Sequence, residues 1–101
     1  MDSTVKHIVD KVVEFIQPSK VILFGSRAAG IAGQKSDYDV VIIYDGALSK
    51  REVKVEIHKR LFPPSFALDL FVLTTAELER YKSVANSIAR EAVEKGVVVY
   101  G

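Results

Sequence analysis

Two pairs of residues in one stretch of the chain carry groups that could do chemistry. Gly25 and Ser26 end one apolar run, and Asp37 and Asp39 lead into the next one. Since side chains alternate along a strand, the two aspartates are expected on the same face, roughly 6–7 Å apart. Two such carboxylates repel each other unless a cation lies between them, and oxygen ligands suit Mg²⁺, which also carries substrate phosphates. The spacing therefore predicts a magnesium site, with an ordinary Asx turn as the alternative.

The Gly-Ser turn predicts a phosphate site opposite these aspartates. Gly25 lets a ligand approach the backbone closely, and Ser26 can cap a short helix whose N-terminus would bind an anion. Arg27 is a candidate phosphate contact, with an exposed arginine on a surface turn as the alternative. A phosphate-binding turn that faces a DxD sequence points to a nucleoside triphosphate bound with Mg²⁺.

A third aspartate, Asp69, interrupts the apolar run from Ala67 to Leu73. An ionised carboxylate inside such a strand is destabilising unless it is paired or metal-bound. No Arg or Lys stands out as a core partner. We therefore expect Asp69 to be functional.

The apolar periodicities predict the element order α-β-α-β-α-β-α-α-β. Capping-box patterns begin two of these helices at Ser49 and Thr74, and Val97–Tyr100 is expected as an edge strand. We predict an α+β fold with a small mixed sheet, the helices mainly on one face and the carboxylates on the other. A doubly wound parallel fold is the alternative, but the connection from Ser26 to Asp37 is short for a crossover helix.

Composition limits the classes of protein to consider. The 101 residues are 49% hydrophobic and 27% charged, which predicts a single soluble domain over residues 1–101. A formal charge of +1 disfavours direct nucleic-acid binding. There is no cysteine, no membrane-length apolar run and no visible signal peptide, so we expect a cytoplasmic protein without membrane contact.

The GSRAAG motif and the later SDYD resemble the GS-x10-DxD signature of the DNA polymerase β-type nucleotidyltransferases. Within that superfamily, the chain is similar to the minimal nucleotidyltransferase (MNT) domains, the antitoxins of HEPN/MNT toxin–antitoxin pairs. The similarity runs nearly end to end. MNT domains commonly read GSRARG, whereas this chain has Ala29 in place of the second arginine.

The resemblance implies a complete set of roles. Asp37, Asp39 and Asp69 would be the catalytic and metal-binding carboxylates with two Mg²⁺ ions, and Asp69 would also accept the proton. Gly25, Ser26 and Arg27 would bind the nucleotide. The implied reaction transfers AMP from ATP to a tyrosine of a partner HEPN toxin. The chain and this partner could form an oligomer.

Two other functions stay open at this point. An inactive module with the same fold would neutralise its partner by binding alone, an alternative suggested by Ala29. A transferase acting on a small molecule such as an aminoglycoside is less favoured, because such enzymes usually carry an additional domain.

Overall fold

The structure, a computed structural model, describes residues 3–25, 37–62 and 66–101. The expected short helix after Ser26 lies outside these ranges. The described part contains four helices: α1 (Ser3–Phe15), α2 (Lys50–Arg60), α3 (Thr75–Tyr81) and α4 (Ile88–Lys95). It also contains four strands: β1 (Lys20–Phe24), β2 (Tyr38–Ile43), β3 (Leu68–Leu73) and β4 (Val97–Tyr100).

The strands form one mixed sheet in the order β3-β2-β1-β4. β1 runs antiparallel to both β2 and β4, and β2 runs parallel to β3. The parallel pair is possible because α2 crosses over between its strands, whereas the short β1–β2 connection gives an antiparallel pair. The predicted α+β fold with a small mixed sheet is confirmed, as is the edge position of β4.

The helices cover the sheet more evenly than expected. α1 and α2 pack on one face, and α3 and α4 pack on the other. The reason is that the central strands are apolar on both faces: Val40 and Ile42 face α1 and α2, while Val41 and Ile43 face the other two helices. The expectation of helices mainly on one face is corrected accordingly.

Both predicted capping boxes are present. The Ser49 and Thr74 hydroxyls accept hydrogen bonds from the backbone N–H groups of Glu52 and Glu77, and both glutamates accept in return from the cap N–H groups.

Asp45, just after β2, contacts a residue thirty positions later in the chain. Its carboxylate accepts hydrogen bonds from Thr75 N and Oγ1 at 2.8 and 2.6 Å. The end of β2 is thus tied to the start of α3.

None of the helices in the described ranges is long and apolar enough to cross a membrane.

Candidate active site

Asp39 and Asp69 are paired residues of neighbouring strands, although thirty positions separate them in sequence. The parallel register of β2 and β3 places Asp39 beside Asp69, and the antiparallel register of β1 and β2 places Phe24 on the other side of Asp39. Cross-strand partners lie on the same face of a sheet. The two carboxylates therefore project from the α3–α4 face, opposite α1 and α2.

The pKa of Asp39 reports this crowding. Partial burial raises the pKa of the Asp39 carboxyl above its usual range, and repulsion and a side-chain hydrogen bond from Asp69 raise it further. Asp37 adds a smaller repulsion. A hydrogen bond between two carboxyl groups requires a proton on one of them, which is why this contact raises the pKa of Asp39.

Gly25 faces Asp39 at very short range. A β-carbon at position 25 would collide with Asp39 Oδ2 and lie 3.3 Å from its Cγ atom. The backbone of Gly25 also has φ +75°, which side chains with a β-carbon rarely adopt. The sequence predicted that a ligand could approach the backbone closely at Gly25. In the structure, the group that lies close to this backbone is the Asp39 carboxylate.

Two aromatic rings extend from the carboxylate pair along the same sheet face. Phe24, next to Gly25, contacts Phe71, two residues after Asp69, with ring centroids 5.7 Å apart. Apolar rings beside a carboxyl group reduce its hydration, in line with the raised pKa of Asp39. The sequence contains a signal for this pair, because residues two apart in a strand share a face.

Asp69 is more exposed than its apolar neighbours suggest. β3 begins at Leu68, so Asp69 lies at the end of the sheet and its side chain is exposed. The expectation that the Asp69 carboxylate is buried, and so must be paired or metal-bound, is therefore wrong about its burial. The position of Asp69 beside Asp39 is the observation that favours a functional role.

The remaining predicted site residues are placed as follows. Asp37 is exposed just before β2, near enough to Asp39 to affect its pKa. Ser26 and Arg27 lie outside the described residues, so the phosphate-binding half of the predicted site stays a prediction. Between the aspartates, Tyr38 points to the opposite face and packs edge-on against Phe66, at 5.6 Å between centroids.

The donor set fits Mg²⁺ in chemistry. Within residues 3–25, 37–62 and 66–101, no three His, Asp or Glu side chains form a metal cluster by themselves. Mg²⁺ is usually held by one or two carboxylates together with substrate phosphates and waters, so a pair of aspartates is a sufficient protein contribution. Asp39 and Asp69 form one pair of adjacent carboxylates, and Asp37 is a further carboxylate that raises the pKa of Asp39.

Two solved structures are similar in fold to this chain. A candidate nucleotidyltransferase from Sulfolobus solfataricus superposes with a TM-score of 0.60 at 24% identity, covering 93% of this chain and 74% of the other. A toxin–antitoxin structure with AMP-PNP superposes with a TM-score of 0.61 at 20% identity, covering 94% and 72%. At these identities the similarity establishes the fold. No curated protein matches the chain.

The sequence itself carries the family assignment. The model of the nucleotidyltransferase domain family matches residues 5–99, which include β1 to β3, most of β4 and the three aspartates discussed above. The chain therefore belongs to the nucleotidyltransferase domain family.

Proposed function

We propose that this chain transfers AMP from ATP to a hydroxyl group of a partner protein in a Mg²⁺-dependent reaction. The observation that carries the proposal is the pair formed by Asp39 and Asp69, placed side by side by the β2–β3 register and facing Gly25. Family membership supports nucleotidyl transfer, and a neighbour of the same fold belongs to a toxin–antitoxin structure with AMP-PNP.

The three aspartates have distinct tasks in this proposal. Asp39 lies centrally, where it can hold the metal of the bound triphosphate together with Asp37. Asp69 faces it from β3, where it can hold a second metal ion and accept the proton of an attacking hydroxyl. When bound, Mg²⁺ would neutralise the triphosphate and lower the pKa of that hydroxyl. Most of the rate enhancement would come from positioning and charge neutralisation.

We propose a protein as the acceptor because the domain is small. The described part has one sheet with helices on both faces, and the Asp69 side chain is exposed at its end. A partner would then supply the acceptor surface. The resemblance to MNT domains favours a tyrosine of a HEPN toxin, which would make this chain its antitoxin.

The test is transfer of label from α-phosphate-labelled ATP to the protein encoded by the adjacent gene. We expect Mg²⁺-dependent labelling that Asp39→Ala and Asp37→Ala abolish. Asp10→Ala is the matched control, since this exposed carboxylate of α1 pairs only weakly with Lys6, at 3.5 Å, and should leave labelling intact.

The same assay separates transfer from neutralisation by binding. A stable complex without label, which still neutralises the partner when residues 37 and 39 are alanine, would reject the proposed transfer in favour of a binding module. Label on a free small molecule such as an aminoglycoside, with none on the protein, would show that the acceptor class is wrong.

A further inference from the structure

One flank of α2 forms an open groove that the proposed chemistry does not use. We call this surface the α2 flank, and define it by the residues Arg51, Lys54, Val55, His58, Lys59 and Phe62. The core-facing row of the same helix, Val53 and Ile57, is fully buried. The α2 flank is thus separate from the contacts that hold α2 on the sheet.

The α2 flank lies on the side of α2 away from α1. The Arg60 guanidinium stacks on the Phe15 ring of α1, 4.7 Å from its centroid. With 3.6 residues per turn, Val55 lies on the side of α2 roughly opposite the buried row, whereas Arg60 lies next to that row. In the described part, no other helix packs beside α2 on that side.

Apolar groups make the α2 flank unusual for a solvated surface. Phe62 is 76% exposed, the highest value for a large apolar side chain in the described ranges, and Val55 is 42% exposed. Lysine side chains add the apolar parts of their stems. Adjacent exposed apolar groups surrounded by charge are typical of interaction sites.

The charges on the α2 flank define the chemistry of a partner. Arg51 and Lys54 have no ion-pair partner within the described part of the chain, and no acidic residue lines the groove. Lys50, at its start, is paired with Glu77 at 2.7 Å. Lys59 is paired with Glu56 at 3.5 Å. A surface with Phe62 and the unpaired Arg51 and Lys54 fits the apolar and acidic faces of an amphipathic helix. Nucleic acid fits less well, since the chain as a whole has a formal charge of only +1.

The α2 flank continues toward the candidate active site. A second depression shares His58 and Phe62 with it and reaches Ala67 and Leu68, the residues directly before Asp69. A partner seated along α2 would therefore reach the end of the sheet where the carboxylate pair lies, on the face opposite to the two carboxylates.

We propose that the α2 flank docks an acidic amphipathic helix of the acceptor protein and so holds that protein at the end of the sheet where Asp69 lies. The inference rests on the proposed function for the identity of the partner. Docking and chemistry are carried by different residues, so they can fail separately.

The experiment measures binding and AMP transfer, with the protein encoded by the adjacent gene as the probe. Calorimetry gives Kd for the wild type, Arg51→Glu/Lys54→Glu, Phe62→Ser and Asp39→Ala, and the labelling assay gives the transfer rate. We expect each α2 variant to raise Kd by about tenfold or more, and salt to weaken wild-type binding. Saturating partner should restore their transfer rate, whereas Asp39→Ala should bind normally and transfer nothing.

The matched control is Lys6→Glu/Lys95→Glu, which makes the same change in charge on α1 and α4. Both lysines are exposed, and their local ion pairs contribute little to stability. An unchanged Kd for both α2 variants, an equal effect of the control, or no binding by the wild type would overturn the docking inference. Intact, α2-dependent binding without label would reject only the proposed transfer.

Discussion

Gly25 is the residue where a single methyl group should have the largest effect on the site. Alanine there would need φ +75° and would collide with Oδ2 of Asp39. The backbone conformation alone costs about 1–2 kcal/mol, and displacement of the carboxylate should reduce transfer by about 100-fold. Denaturant unfolding and the labelling assay measure the two effects. Asp10→Ala is the control, because this exposed carboxylate of α1 has only a weak contact to Lys6 at 3.5 Å.

We expect the charged Asp39 carboxylate to lower the Tm of the metal-free protein, and Mg²⁺ to raise that Tm. The folded-state pKa of Asp39 is raised, so the charged carboxylate costs stability above that pKa, and the cost disappears as pH falls through it toward the unfolded value. Asp39→Asn should therefore raise Tm at neutral pH. Mg²⁺ should raise Tm of the wild type and leave this variant unchanged. A scan with and without Mg²⁺ checks both, and equal metal responses would exclude Asp39 as a ligand.

At the scale of elements, polar contacts between the ends of helices and strands connect the two faces of the sheet. Lys50 begins α2 and pairs with Glu77 in the first turn of α3, at 2.7 Å, although these helices lie on opposite faces. Asp45 joins the end of β2 to α3. These contacts lie at the end of the sheet away from Asp39, since Asp45 follows the last residue of β2.

Replacing Asp45 should loosen the attachment of α3 in a pH-dependent way. Hydrogen bonds from Thr75 and Ser19 lower the pKa of the Asp45 carboxyl. The stabilisation is therefore present above the unfolded-state pKa and is lost as pH falls through the lower folded-state pKa. Asp45→Asn should reduce Tm by a few degrees at neutral pH, with a difference that shrinks in acid.

Thermal unfolding from neutral to acidic pH tests this prediction for Asp45. Asp10→Asn is the control, because its carboxylate has only the exposed contact to Lys6 at 3.5 Å. A constant difference in Tm between wild type and Asp45→Asn at all pH values would contradict an ionic contribution.

For the whole molecule, two core layers share one sheet and should unfold together. Ile42 and Ile43 are adjacent in β2, both essentially fully buried, and they belong to different layers. Replacing either with alanine should lower the free energy of unfolding by about 2–5 kcal/mol. Val98→Ala, on the half-exposed edge strand, should cost far less. Denaturation followed by circular dichroism measures all three, and a small loss for Ile43→Ala would refute a second core on the α3–α4 face.

The sequence by itself determined the local features of the molecule. The apolar runs of β1 and β2 and the caps at Ser49 and Thr74 follow from preferences that act within a few residues. The close approach at Gly25 was also expected, because only glycine tolerates it.

Only the tertiary structure decided which distant residues meet. The β2–β3 register brings Asp69 beside Asp39, and helix packing brings Thr75 to Asp45. Apolar runs show that a strand is buried but not which helix covers which face, so the division of helices between two faces was not predicted. The physical reason is that strand order and register depend on packing across the whole chain, whereas propensity and alternation are properties of short segments.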